Sequence, residues 1–215
     1  MLNSEDYLNI FHEIKNSITL ISSSLQLVEK KHPEVSDFAY WAETMSEITS
    51  LRNMVTELSS ARLCDHLNLR HVNLYDYMEE IHDSISAFSA LDFHCNIITE
   101  KNLPEIDIDP QLLKQALINL LKNAYEAMNK SGTVTIRVSS ANNSVLIAVT
   151  DYGGGLDPSF SDSIFEPFIT SKNGGSGLGL VITKQIIESH HGTIDCDSRP
   201  GDGCTFTLTL PLTQN

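Results

Sequence analysis

Asp109-Pro-Gln-Leu-Leu-Lys-Gln-Ala-Leu-Ile-Asn-Leu-Leu-Lys-Asn-Ala-Tyr-Glu-Ala127 is the stretch that decides the fold. An acid followed by proline is a strong helix start. The carboxylate caps free N–H groups, and proline's fixed φ suits the first helical position. Leu113, Ala116, Leu117, Leu120, Leu121 and Ala124 then fall on one face, which predicts a core-packed helix running to about Asn129. Asn119 and Asn123 are four residues apart and share the opposite face. Working outward, Val134, Ile136 and Val138 alternate as a strand, and an Asn142-Asn143 turn leads into a second strand over Val145–Thr150. A helix is expected over Ser176–His190, closed by Gly192, and two more strands over Thr193–Asp197 and Cys204–Leu210. Upstream, Leu74–Phe88 reads as a helix and His94–Glu100 as a strand. Hairpin-connected strands with helices between them predict an α/β sandwich, a mixed sheet with helices on one face.

The N-terminal part has a different period. Tyr7, Phe11, Ile14, Ile18, Ile21, Leu25 and Val28 step by fours and threes, as in a coiled-coil seam. His32-Pro33-Glu34 interrupts it, since proline cannot continue a helix interior. A second seam follows at Trp41, Met45, Ile48, Val55 and Leu58, with Leu51 close by. Two helices and a short turn make an antiparallel hairpin. One hairpin cannot bury both faces; two can, as a four-helix bundle, so a homodimer is expected. A monomeric hairpin is the plainer alternative. The fold class is therefore α+β, with a hairpin domain over residues 1–66 and the sandwich over 67–215, the boundary falling near residues 64–72.

The 215 residues carry a net charge of −14. That balance argues against a nucleic-acid partner, because no basic stripe is available to neutralise phosphates. It also disfavours an anionic membrane surface. No apolar run is long enough to cross a bilayer. Four cysteines, Cys64, Cys95, Cys196 and Cys204, form no CxxC pair, so reduced thiols are expected and neither a disulfide framework nor a zinc site.

Several short stretches carry chemistry. Asn119 and Asn123 present amide oxygens that suit Mg²⁺, although a solvated polar face would look the same. Asp151 ends a strand and precedes three glycines; its carboxylate can accept from an adenine amino group, or merely cap a tight turn. Gly174-Gly-Ser-Gly-Leu-Gly179 opens a helix and offers N–H groups to phosphates, with Lys172 just upstream as a point charge. It is neither a Walker A loop nor a Rossmann fingerprint. Phe165-Glu-Pro-Phe168 has apolar anchors that can pin one end of a lid over Thr170–Gly175. His12 sits one residue past Phe11, so it is expected to point away from the bundle core, with Glu13 beside it and Asn16 one turn further on. A carboxylate next to an exposed imidazole can hold its tautomer and take its proton. The other seven histidines carry no separate hypothesis.

Taken together, His12-Glu-Ile-Lys-Asn16 resembles the H box of sensor histidine kinases, Asn119–Ala127 their N box, Asp151–Leu156 the G1 box, Phe165–Phe168 the F box and Gly175–Leu180 the G2 box. The closing Gly201-Asp-Gly-Cys-Thr-Phe206 is similar to the last strand of the same domain. The resemblance implies a dimerisation and histidine-phosphotransfer hairpin followed by a Bergerat-type ATP-binding domain. It implies His12 as phosphoacceptor, Glu13 as base and Asn16 in phosphatase action. Asn123 would bind Mg²⁺, with Asn119 against the phosphates. Asp151 would recognise adenine, and Gly153 and Gly155 would shape the base pocket. Lys172, Ser176, Gly177, Leu178 and Gly179 would form the lid and phosphate contacts. The implied activity is transfer of phosphate from ATP to His12 and on to an aspartate of a response regulator receiver domain. The chain is expected to be cytoplasmic, either by itself or as the cytoplasmic part of a longer membrane-bound kinase.

Three departures stand out. Ser17 replaces the proline that often follows the H box, Cys204 stands where threonine is usual, and no sensor domain precedes the hairpin. Signals are then expected to arrive through a separate protein, or this is a fragment of a longer kinase. The competing readings are a phosphorelay or scaffold protein with a degenerate ATP site, and another ATPase of the same fold.

Overall fold

The computed structural model describes residues 4–61, 67–86, 92–158, 163–170 and 176–212, with the side chains of the first helix from Glu13 onward. The chain divides into two compact units: Met1–Leu63 with Glu166–Leu178, and Cys64–Phe165 with Gly179–Asn215. The boundary expected near 64–72 begins outside the described residues, which resume at residue 67.

In the first unit, α1 (Ser4–Lys31) and α2 (Trp41–Ala61) form the hairpin. A single 3-10 stretch, Pro33–Asp37, makes the turn and buries Val35. Glu29 on α1 fastens it, accepting from Ser36 Oγ at 3.1 Å and from Trp41 Nε1 at 3.2 Å. The seam divides in two. Ile18 and Val55 are buried between the helices. Ile14, Ile21 and Val28, each seven residues from the next, stay 40%, 51% and 39% exposed. α1 runs unbroken past Ser17, whose hydroxyl donates to the Glu13 carbonyl at 2.9 Å. Such back-bonding bends a helix slightly but does not break the ladder as proline does.

The second unit is a mixed sheet under three helices. Its strands are β2 (Phe93–Thr99), β4 (Gly132–Ala141), β5 (Ser144–Asp151), β6 (Thr193–Arg199) and β7 (Gly203–Pro211), in the order β2-β4-β5-β7-β6. The β2–β4 pairing is parallel and the rest are antiparallel. Val134, Ile136, Val138, Val145, Ile147, Val149, Phe206, Leu208 and Leu210 are buried along one face of the sheet. They belong to one core with residues of α3 (Leu74–Ser86), α4 (Pro110–Ala127) and α5 (Gly179–Ser189). This is the α+β sandwich that the alternating strands predict.

Two differences from the sequence expectation matter. β1 (Arg70–Val72) and β3 (Ile106–Ile108) form a separate antiparallel ribbon, too short to show a period. α5 begins at Gly179 and not at Ser176, so Ser176, Gly177 and Leu178 precede the helix as loop.

Asp109 fixes where α4 starts. Its Oδ1 accepts from the N–H groups of Gln111 and Leu112 at 3.0 and 3.1 Å, and its Oδ2 from Asn68 N–H at 2.9 Å. Its own N–H donates to Nε2 of His190 at 2.9 Å. His190 is fully buried at the end of α5, and its Nδ1 meets the Ile186 carbonyl at 2.7 Å. Nε2 must therefore be the unprotonated nitrogen of a neutral ring.

Burial holds the His190 pKa below the usual imidazole value. The unfolded chain then binds the extra proton first, and stability falls as pH drops below about 6.5, at up to about 1.4 kcal/mol per pH unit. His190→Leu leaves the buried Asp109 N–H without its acceptor, which should cost about 1–3 kcal/mol at pH 7. Urea unfolding from pH 7.5 to 5.5 checks this, since the stability gap between wild type and variant should narrow as pH falls. A constant gap would mean that His190 does not titrate differently on folding.

Candidate functional site

The candidate site in the second unit is built on α4, the end of β5 and the start of α5. α4 buries Leu113, Ala116, Leu117, Leu120, Leu121 and Ala124, and this leaves Asn119 and Asn123 half-buried on its other side. The capped start at Asp109 sets the helical phase, so both asparagines keep the shared face that their spacing predicts. The Asn119 amide donates from Nδ2 to the Gly179 carbonyl at 3.2 Å. Gly179 is the first residue of α5. α4 is thereby tied to the helix whose first turn offers unpaired N–H groups.

Asp151 ends β5 and is buried, with only 4% of its surface exposed. Its Oδ1 accepts from Gly153 N–H at 2.9 Å, which orients the carboxylate across the turn. A Cβ on Gly153 would lie 2.6 Å from the Ala127 carbonyl oxygen, so the loop passes against the end of α4. Gly155 has φ +71, and a Cβ there would meet the Arg199 carbonyl oxygen at 2.2 Å. Only glycine suits that combination of backbone angle and contact. The loop is held further by Leu156 N–H donating to Ser198 Oγ at 2.8 Å and by Gly201 N–H donating to the Gly154 carbonyl at 2.9 Å.

Cys204 pairs in register with Asp151 across β5 and β7. Its Sγ lies 3.0 Å from Ser198 Oγ. Hydrogen bonding with Cys196, and then with Ser198, brings the Cys204 thiol down to about 7, against burial and the Asp151 charge, which raise it. Cys95, without such partners, is pushed up to about 11 by burial.

In the first unit, Phe168 N–H donates to the Gly177 carbonyl at 3.2 Å, closing the base of the loop that follows Phe165–Phe168. Ser176 Oγ accepts from Leu178 N–H at 3.2 Å, and Leu178 is buried. Lys172 and the middle of the expected lid lie outside the described residues. Glu13 and Asn16 are exposed on α1, and the side chain of His12 lies outside the described residues.

Sequence reasoning passed over His190 and Thr183, both fully buried and both bonded to residues at the ends of these helices. A polar residue in step with the apolar stripe of α5, as Thr183 is with Ile182, Ile186 and Ile187, was the available signal.

The pattern of the histidine kinase-, DNA gyrase B- and HSP90-like ATPases matches residues 108–214. The chain is 33% identical over 205 residues to the sensor histidine kinase ZraS of Escherichia coli K12, covering 94% of this chain and 44% of that protein. It is 32% identical over 216 residues to sporulation kinase C of Bacillus subtilis 168, covering 98% of this chain and 49% of the relative. The chain thus spans less than half the length of these curated relatives. Among solved structures, histidine kinase ThkA in complex with the response regulator protein TrrA superposes with a TM-score of 0.66 at 26% identity, covering 97% of this chain and 61% of that one. The Acinetobacter baumannii histidine kinase AdeS shares the fold with a TM-score of 0.66 at 18% identity, over 94% of this chain and 98% of that one. With a capped α4 carrying two asparagines, a buried Asp151 before a glycine turn and these relatives, the chain belongs with the sensor histidine kinases and carries their ATP-binding domain.

Proposed function

We propose that this chain is an ATP-dependent protein-histidine kinase of a two-component system. It phosphorylates itself on His12 and passes the group to an aspartate of a response regulator. The observation that carries the reading is the buried Asp151 at the end of a central strand, oriented by Gly153, in a turn that packs against the end of α4, the helix that carries Asn119 and Asn123. A carboxylate in that setting accepts from the exocyclic amine of adenine, and the Gly153–Gly155 turn, packed against the Ala127 and Arg199 carbonyls, fixes the backbone that follows it. The relative ShkA was crystallised with AMPPNP, which agrees with an adenine nucleotide as ligand.

The triphosphate is taken by N–H groups around Ser176, Gly177, Leu178 and Gly179, and by Lys172. A magnesium ion bound with the triphosphate would supply charge neutralisation for the transfer. Asn123, an oxygen donor on the same helical face as Asn119, would hold it. The His12 imidazole attacks the γ-phosphorus, the bond to the β–γ bridging oxygen breaks, and ADP departs. Glu13 takes the imidazole proton. Asn16 holds the water that attacks the regulator's phosphoaspartate when the protein acts as a phosphatase. Residues 1–66 serve as the phosphotransfer and dimerisation domain and 67–215 as the catalytic domain, in a cytoplasmic location. The response regulator is taken as partner by analogy with ThkA and TrrA.

Homodimerisation is supported by the divided seam. Ile14, Ile21 and Val28 keep a heptad spacing on the face that a single hairpin leaves exposed. A second copy covers that face and completes a four-helix bundle. The relay reading is less favoured, because the nucleotide motifs are intact in sequence.

With Mg²⁺ and γ-labelled ATP, wild type should acquire acid-labile, alkali-stable label, and His12→Ala should acquire none while binding ATP normally. Label that persists in the variant would exclude His12 as acceptor. Asn123→Ala should lower ATP affinity roughly tenfold or more in Mg²⁺ and much less in EDTA. Equal loss in both would remove Asn123 from the metal. Sedimentation should find a dimer at micromolar concentration that Ile21→Asp converts to monomer. A monomeric wild type would overturn the bundle.

A further inference from the structure

Two side chains converge on one backbone carbonyl at the start of α5. Asn119 Nδ2 reaches the Gly179 oxygen at 3.2 Å from α4, and Thr183 Oγ1 reaches the same oxygen at 2.8 Å from one turn further along α5. Back-bonding of a hydroxyl to the fourth preceding carbonyl is common on this chain. Ser17, Thr19, Thr49, Ser84 and Ser189 all do it, but on exposed surfaces where water can substitute. Thr183 is fully buried, and its acceptor is also the one that Asn119 holds. The first residue of α5 is a glycine preceded in sequence by Gly174, Gly175 and Gly177, so local propensity does little to hold that turn. Donors for a phosphate are effective only when fixed beforehand, because reorganising them costs the interaction energy they supply.

We infer that Asn119 is a positioning residue for the phosphate site and not a ligand of nucleotide or metal. Paired with Thr183, it clamps the Gly179 carbonyl and fixes the N-terminal turn of α5, so that its N–H groups are preset for the triphosphate. This rests on the reading of this face as an ATP site. It gives the two asparagines of α4 different roles, Asn123 as the proposed metal ligand and Asn119 as a clamp on the backbone of α5. It also assigns a function to Thr183, which is buried and out of reach of any nucleotide.

Calorimetric titrations of wild type, Asn119→Asp, Thr183→Val, the double variant and Thr183→Ser test it, with Mg-ATP and with adenosine as ligands. Each of the first two variants should lose about five- to tenfold in Mg-ATP affinity, the worth of one hydrogen bond, with adenosine affinity changed by less than about twofold. The double variant should lose little more than either single one, because both act on one carbonyl. Thr183→Ser, which keeps the hydroxyl, should recover wild-type affinity. Normal Mg-ATP binding by Thr183→Val would overturn the inference, as would undiminished binding by Asn119→Asp, which would make Asn119 a metal ligand. Failure of wild type to bind ATP would sink the ATP-site reading instead. Amide hydrogen exchange in the nucleotide-free protein would then decide the clamp. Faster exchange over residues 180–183 in both variants supports it, and unchanged exchange removes it.

Discussion

The hydrogen bonds around Asp109 are the constraint on which the second unit depends. One carboxylate caps α4 through Gln111 and Leu112 and holds the chain at Asn68, while the same residue's N–H is received by the buried ring of His190. A cap of this kind contributes about 1 kcal/mol to helix stability. Its larger consequence is geometric. By fixing the first residue of α4, it fixes which residues face the sheet. Leu113, Leu117 and Leu120 go into the core, and Asn119 and Asn123 are carried to the opposite side. The site's chemistry is thus set ten or more residues upstream of its functional side chains, at a position with no contact to ligand in the proposed mechanism.

The two units are stabilised differently. The sandwich buries one continuous core from sheet and helices. Among its described residues, the hairpin buries Ile18, Val35 and Val55 and leaves Ile14, Ile21 and Val28 exposed. The sandwich is complete within one chain, and the hairpin has an apolar face suited to a second. That division suits the proposed roles, in which the sandwich carries the adenine-binding Asp151 and the hairpin presents the acceptor histidine and joins two copies.

Much of this was legible in the sequence. α4 was readable because three signals agreed: an acid-proline start, an apolar stripe at helical spacing and polar residues on the remaining face. The strands over Gly132–Ala141 and Ser144–Asp151 were readable because alternation and the Asn142-Asn143 turn coincide. The Arg70–Val72 and Ile106–Ile108 ribbon was not, since three residues cannot display a period and their pairing spans more than thirty positions. The start of α5 was placed three residues early, because a glycine-rich run carries no propensity that marks where helix begins. His190 looked like any other histidine, since its burial depends on α4 and α5 coming together. Asn119 was legible as a site residue from its spacing to Asn123, but its partner Gly179 lies sixty positions away and carries no side chain to announce the contact.

The most direct test of the central claim, that the face built on α4 and Asp151 is an adenine-nucleotide site, is calorimetric titration of the protein with ATP and with GTP in Mg²⁺, repeated on Asp151→Asn. The account predicts that ATP binds, that GTP is rejected because the carboxylate faces position 6 of the purine, an amine in adenine and a carbonyl oxygen in guanine, and that the Asp151 variant loses ATP. Equal binding of ATP and GTP, or an Asp151 variant that binds ATP as tightly as wild type, would contradict it.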